Sequence, residues 1–163
     1  MGFSKESKVV IGLRHLGEIV MLNAGRRSLS EALSIKDETR RARDLKRLNR
    51  VFLASTDQIV FRRHKLSLLI GECFEGLGEV EREIIAFAQA VEEHPKPIGP
   101  SYAHALQKFF DSLNKLSGLS ADEKFAVIGV ALGVLHSTRD KDPKFAYLAD
   151  YWTGYCYEGL GDY

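Results

Sequence analysis

Four prolines occur in the 163 residues, and three of them, Pro95, Pro97 and Pro100, fall in one stretch. Proline removes a backbone donor and crowds the preceding helical turn, so most of this chain is free of helix breakers. Apolar residues recur at spacings of three and four in every long segment, without sustained alternation or β-branched enrichment. An all-α fold of about seven helices is expected.

Stop and start signals divide the chain. A first helix is expected over 5–23, with Val9, Leu13, Leu16 and Val20 on one apolar face and Gly25 just past its end as its stop. The second has two equivalent starts, Ser28 with Glu31 or Ser34 with Asp37 and Glu38, and continues through Leu45, Leu48 and Phe52 toward Val60. Helices over 63–77 and 80–93 flank Gly76-Leu77-Gly78, a turn so short that the two must pack antiparallel. After the prolines, helices are expected over 102–116 and 123–136, the latter opened by the capping box Ser120-Ala121-Asp122-Glu123. Asp142-Pro143 is read as the start of a last helix reaching Gly159.

With 45% hydrophobic residues, the chain can bury a core as a single domain over 1–163. The net charge of +1 conceals an uneven distribution: +2 over residues 1–35, +6 over 36–65 and −7 over 66–163. No apolar run is long enough to span a bilayer, and Arg14, His15 and Glu18 interrupt the first one, which rules against a signal peptide. A soluble, intracellular protein is expected by default. Cys73 and Cys156 are too few for a disulfide framework and read as buried apolar groups.

The segment Gly71-Glu72-Cys73-Phe74-Glu75-Gly76-Leu77-Gly78 returns 83 residues later as Gly154-Tyr155-Cys156-Tyr157-Glu158-Gly159-Leu160-Gly161, with six of eight positions identical. Gly71 and Gly154 lie inside helices, where glycine is unfavourable by roughly 1 kcal/mol relative to alanine, so a close helix crossing is expected at each. Gly78 and Gly161 are expected to end their helices in the left-handed conformation. Ser28-Leu29 with Asp37-Glu38, against Ser112-Leu113 with Asp122-Glu123, extends the 83-residue spacing more weakly.

These residues resemble the tetratricopeptide repeat (TPR), a helical hairpin of about 34 residues that stacks into a solenoid. Ile70-Gly71, Phe74, Gly78, Phe87, Ala90 and Pro95 fall at that family's spacings, as do Gly154, Tyr157, Gly161 and Tyr163, with Gly161-Asp162-Tyr163 as its usual turn. The sequence departs from the pattern at Ser67, Asp150 and Glu83. The resemblance implies antiparallel hairpins stacked as a TPR-like α-solenoid: a hairpin over 64–95, a divergent helical pair over 101–136, and the first helix of a further hairpin over 143–163. It also implies a fragment of a longer protein, or a last helix that docks on a partner or on a second copy of the chain.

No histidine lies three or four residues from another histidine or a cysteine, so no metal site is expected, and no nucleotide loop or nucleophile elbow is present. No cofactor is expected. Glu72, Glu75 and Glu79 share a face, read as a solvated acidic stripe beside Arg82 and Lys65. Arg40, Arg43, Arg47 and Arg50, flanked by Arg41 and Lys46, form a cationic ridge able to meet phosphates or acidic lipids. Its plainer reading is a solvated face paired with Asp37, Glu38 and Asp44 or with the acidic hairpin.

The expectation is a non-enzymatic scaffold that binds a protein, as a peptide or partner helix, in a groove. The resemblance implies that the first helix of each hairpin lines it, through Lys65, Leu68, Glu72 and Glu75, then Leu148, Tyr151, Tyr155 and Glu158. Family members that grip acidic tails carry Lys and Asn where this chain has Leu68, Glu72, Tyr151 and Tyr155. An apolar ligand anchored by Tyr151 and Tyr155 is therefore expected. The alternative is an anionic surface, membrane or nucleic acid, held by residues 40–50.

Overall fold

A computed structural model describes residues 5–96 and 99–161, and every regular element among them is helical. The order is α1 (Lys5–Leu33), α2 (Glu38–Ala54), α3 (Arg63–Leu77), α4 (Val80–Glu92), α5 (Pro100–Leu113), α6 (Ala121–Lys141) and α7 (Ala146–Leu160), with a 3₁₀ turn at Leu116–Gly118. No helix among them is long and apolar enough to cross a membrane.

Local signals set several ends where expected. Gly78 ends α3 at φ +71° and Gly161 ends α7 at φ +76°, each in the left-handed region that glycine enters without steric penalty. Ser120 and Glu123 close the capping box of α6, the Glu123 carboxylate accepting the Ser120 backbone N–H at 2.8 Å. That bonding holds the Glu123 carboxyl below its ordinary range. The turn Gly161-Asp162-Tyr163 lies partly outside the described residues.

Tertiary packing overrides other signals. Gly25 does not stop α1; it lies inside the helix where the Phe52 ring comes so near that a Cβ would stand 2.8 Å from it. Neither serine opens α2, because Ser28 belongs to α1 and the Ser34 hydroxyl donates back to the Glu31 carbonyl at 2.7 Å. Asp37 is the cap instead, accepting the Arg40 N–H at 2.6 Å. Leu13, Leu16 and Val20 face outward rather than into the core, and the Val9 side chain lies outside the described set. The buried side of α1 carries Glu18, Leu22, Leu29 and Ala32, turned inward because the Glu18 carboxylate accepts the N–H groups of Val60 (2.8 Å) and Phe61 (3.2 Å). Asp142-Pro143 does not open α7. Asp142 closes the extended α6, its carboxylate accepting the Lys144 N–H at 3.1 Å, and α7 begins at Ala146.

Two apolar clusters form the interior. One joins α1, α2 and α3 around Leu29, Leu45, Phe52, Leu69 and Cys73; the other joins α4 to α7 around Phe87, Leu106, Phe109, Ile128 and Trp152. α3 and α4 are an antiparallel hairpin in close contact along their length, and α4 also packs on α5 and α6. The expected pair over 101–136 is not a tight hairpin: α5 and α6 each lean on α4, and the 3₁₀ turn separates them.

An 83-residue register runs through the structure. The bounds of α3 and α7 differ by 83 at both ends, as do the caps Asp37 of α2 and Ser120 of α6. The side-chain packing keeps that register. A Cβ on Gly76 would meet Leu45 of α2, and one on Gly159 would meet Ile128 of α6, the residue 83 positions after Leu45. Cys73 and Cys156 are both fully buried. The pair α2–α3 thus corresponds to α6–α7, and nothing among the described residues follows α7 as α4 follows α3.

Candidate interaction surface

Acidic side chains of the α3–α4 hairpin tie helices together. Glu72 is buried and paired with Arg26 of α1, and Glu75 accepts from Lys108 of α5 at 2.7 Å. Glu79 accepts from Arg82 one turn away at 3.0 Å. The solvated acidic stripe is therefore corrected, as is the free groove role of Glu72 and Glu75: two of the three acids lock α3 to its neighbours. Glu83, 1% exposed, receives Lys115 from beyond α5 at 2.5 Å, while its other oxygen is buried without a partner. Burial pushes the Glu83 carboxyl above its ordinary range against the pull of Lys115.

The remaining groove candidates fall into two separate places. Lys65 and Leu68 line a hollow of about 270 Å³ with Arg26, Ser101 and His104, where α1, α3 and α5 meet. Tyr155 and Glu158 line another of about 220 Å³ with Leu116, Lys124 and Ile128. Leu148 and Tyr151 stand exposed on α7. The two sets line different hollows.

α7 is built around Trp152, which sequence reasoning passed over. Its indole is buried and stacks on Phe110 of α5 at 6.3 Å, while Tyr151 and Tyr155 meet it edge-on at 5.3 Å. The two tyrosines are held by a fixed ring rather than free to collapse. Tyr147, also passed over, is 79% exposed and Tyr151 58%. Its signal was the spacing of four from Tyr151 on one helix.

On α2, all four ridge arginines are exposed. Arg40 and Arg43 share Asp44 at 3.9 and 3.4 Å, and Arg41 meets Glu38 at 3.6 Å. These pairs are local; none reaches the acidic hairpin. Arg47 and Arg50 have no acidic partner among the described residues. Arg40 and Arg47 overlook a groove of about 540 Å³ between α1 and α2 that also holds Glu31 and Asp44.

His64 and His94, distant in sequence, meet at 4.5 Å between ring centres, and His94 lies edge-on to Tyr102. Burial, helped by His94, Lys65 and Arg62, lowers His64 to about 4, so it is neutral at pH 7. Burial raises the Cys73 thiol to about 12 and the Cys156 thiol to about 11, well away from the reactive thiolate form. No group of three or more His, Cys, Asp or Glu among the described residues is arranged to hold a metal ion.

No protein-family model, curated protein or solved structure matches the chain.

Proposed function

We propose that this chain is a non-catalytic protein-interaction scaffold, a TPR-like helical array that holds a peptide or partner helix on its surface. The observation that carries this reading is the exposure of Tyr147, Leu148 and Tyr151 on α7, three large apolar side chains together on a helix whose inner side is fixed by Trp152. Rigid amphipathic rings lose little entropy when they are covered, which makes them effective anchors. The Gly71–Phe87 crossing and the left-handed Gly78 cap support the TPR-like character of the α3–α4 hairpin. The consumption of Glu72 and Glu75 in ties moves the binding surface from α3 toward α7.

The sharing of Asp44 by Arg40 and Arg43 leaves the ridge with less free charge than its sequence displays, so an anionic surface is the weaker reading. Selection of displayed peptides on the immobilised chain separates the two. Ligands are expected to be lost with Tyr151→Ala and kept when Arg43, Arg47 and Arg50 are all changed to Glu. Ligands that survive Tyr151→Ala, disappear in the triple variant and weaken steeply with salt would assign the function to the ridge.

A further inference from the structure

Val134, Thr138 and Lys141 recur at spacings of four and three, so they share one face of α6. With Val91 and His94 at the end of α4 and Tyr102 near the start of α5, they line a hollow of about 170 Å³. A threonine inside a helix commonly donates back to the carbonyl one turn earlier, as the Thr153 hydroxyl does to Ala149 at 2.7 Å. Thr138 is 1% exposed, yet its hydroxyl oxygen has no hydrogen-bond partner. The Tyr102 hydroxyl stands beside it without the alignment of a bond, and burial keeps that phenol protonated. Two neighbouring hydroxyls are thus placed to donate to one shared acceptor.

A second orphan belongs to the same lining. His94 Nδ1 lies 2.6 Å from the Lys96 carbonyl oxygen, which can only accept, so Nδ1 carries the proton. Burial holds the ring below its ordinary value, which leaves it neutral at pH 7. Nε2 is then a bare acceptor, and it too is buried without a partner. Folded chains leave few buried polar atoms in this condition, because each has given up water for nothing in return. At the rim, Lys141 is exposed and joins no ion pair among the described residues, and Glu92 is the carboxylate that shares the lining. Val91, Val134 and Pro95 supply an apolar wall.

We propose that this hollow binds a small hydroxy monocarboxylic acid. The ligand's carboxylate accepts from Thr138 and Tyr102 and faces the Lys141 ammonium, its hydroxyl donates to His94 Nε2, and its short carbon chain lies on Val91 and Val134. Each orphan thereby receives the partner that its own chemistry lacks. A cavity of about 150 Å³ takes a benzene, so the volume here suits roughly six to eight non-hydrogen atoms. Glu92 disfavours a second carboxylate, which sets the ligand at one negative charge. The site shares no residue with the exposed rings of α7, so it stands or falls independently of the scaffold reading.

The test is a titration of the isotope-labelled full chain with β-hydroxybutyrate, followed by amide chemical shifts in heteronuclear NMR. Shifts confined to the surroundings of His94, Tyr102 and Thr138 are expected, saturating with a Kd on the order of 1 mM, as suits a ligand of so few atoms. Butyrate has no donor for His94, butanol has no carboxylate, and malate carries a second one; each is expected to bind at least about fivefold more weakly. Thr138→Val, which keeps the shape of the side chain, and Lys141→Met, at the exposed rim, are each expected to weaken β-hydroxybutyrate about tenfold. Lys141 lies outside the core, so its variant carries the test even if Thr138→Val unfolds the chain. No saturable shift at about 50 mM overturns the inference and gives both orphans to ordered water. Equal affinity for butyrate and β-hydroxybutyrate, or binding that Lys141→Met leaves unchanged, overturns it as well. Displayed ligands sensitive to Tyr151→Ala would leave the scaffold reading standing in any of these cases.

Discussion

Lys115→Met isolates the most deeply buried acidic side chain among the described residues. Glu83 is 1% exposed, and Lys115 is the cation that reaches it, with Glu75 and Lys108 as the further charges acting on it. Removing the ammonium leaves a buried carboxylate with no counter-charge in contact, which costs about 3–5 kcal/mol if it must stay ionised. The protein has a cheaper escape, which is to protonate Glu83. From an ordinary value near 4.5, holding a carboxyl neutral at pH 7 costs about 3.4 kcal/mol at about 1.36 kcal/mol per pH unit, so that figure caps the loss. The wild type already carries part of it, because its Glu83 carboxyl is raised too. The expected difference between variant and wild type is therefore no more than about 3 kcal/mol at pH 7.

The sign of the pH dependence follows from the direction of the shift. A carboxyl whose folded pKa lies above its unfolded value adds most to stability below the unfolded value and loses that contribution as pH rises through the folded one. The variant is expected to approach the wild type on acidification, by as much as about 1.4 kcal/mol per unit between pH 7 and 5. Urea unfolding followed by Trp152 fluorescence and by circular dichroism measures both chains at each pH, and other titrating groups cancel in the difference. A difference that stays constant from pH 5 to 8, or widens in acid, would refute the reasoning. Adding Glu83→Gln to Lys115→Met is expected to remove the pH dependence altogether.

The two repeat glycines should respond oppositely to alanine. Gly71→Ala drives a Cβ into the Phe87 ring and is expected to lower stability by about 1–3 kcal/mol, whereas Gly154→Ala meets nothing and is expected to raise it by up to about 1 kcal/mol, both read from urea midpoints. His64 carries the acid response opposite to that of Glu83. With its folded value at about 4, its contribution is complete above the unfolded value near 6.5 and is lost as pH falls, by about 2 kcal/mol between pH 6.5 and 5. His64→Gln is expected to gain on the wild type by that amount over the same interval; a constant offset between the two midpoints would contradict the assignment.

What the sequence made legible was local. The ends of α3 and α4, the Ser120 capping box and the left-handed caps at Gly78 and Gly161 each depend on residues within one turn, and each stands where short-range rules put it. The starts of α2 and α7 were misread among competing local caps, whereas the other misreadings were decided at long range. Gly25 has the chemistry of a stop, but its lack of a side chain is used to admit Phe52 from another helix. The apolar stripe Leu13-Leu16-Val20 has the period of a core face, but Glu18 on the opposite side finds two backbone donors 42 and 43 residues away and decides which side turns inward. Charge pattern showed that acids share a face of α3, yet not that Arg26 and Lys108, 46 and 33 residues distant, would claim two of them. Of the eight groove candidates, Lys65, Leu148, Tyr151 and Glu158 stay exposed and Leu68, Glu75 and Tyr155 half-buried, while Glu72 is buried against Arg26.

The internal repeat explains why the octapeptide was conspicuous and also why it was an incomplete guide. Among the identities, Cys73/Cys156 are buried, Gly76/Gly159 meet the preceding helix and Gly78/Gly161 turn the chain in both places, whereas Gly71 meets Phe87 and Gly154 meets no neighbour. Divergence is concentrated on the other faces: Phe74 against Tyr157, Glu72 against Tyr155, Ser67 against Asp150 and His64 against Tyr147. Each change makes the α7 residue more amphipathic, or leaves it charged, where its α3 counterpart is sealed by a neighbour. A helix that only needed to face water would gain from losing Gly154 and its outward rings, since alanine and charged residues are better helix formers in that setting. Retaining both keeps a surface that is costly in isolation and well suited to being covered.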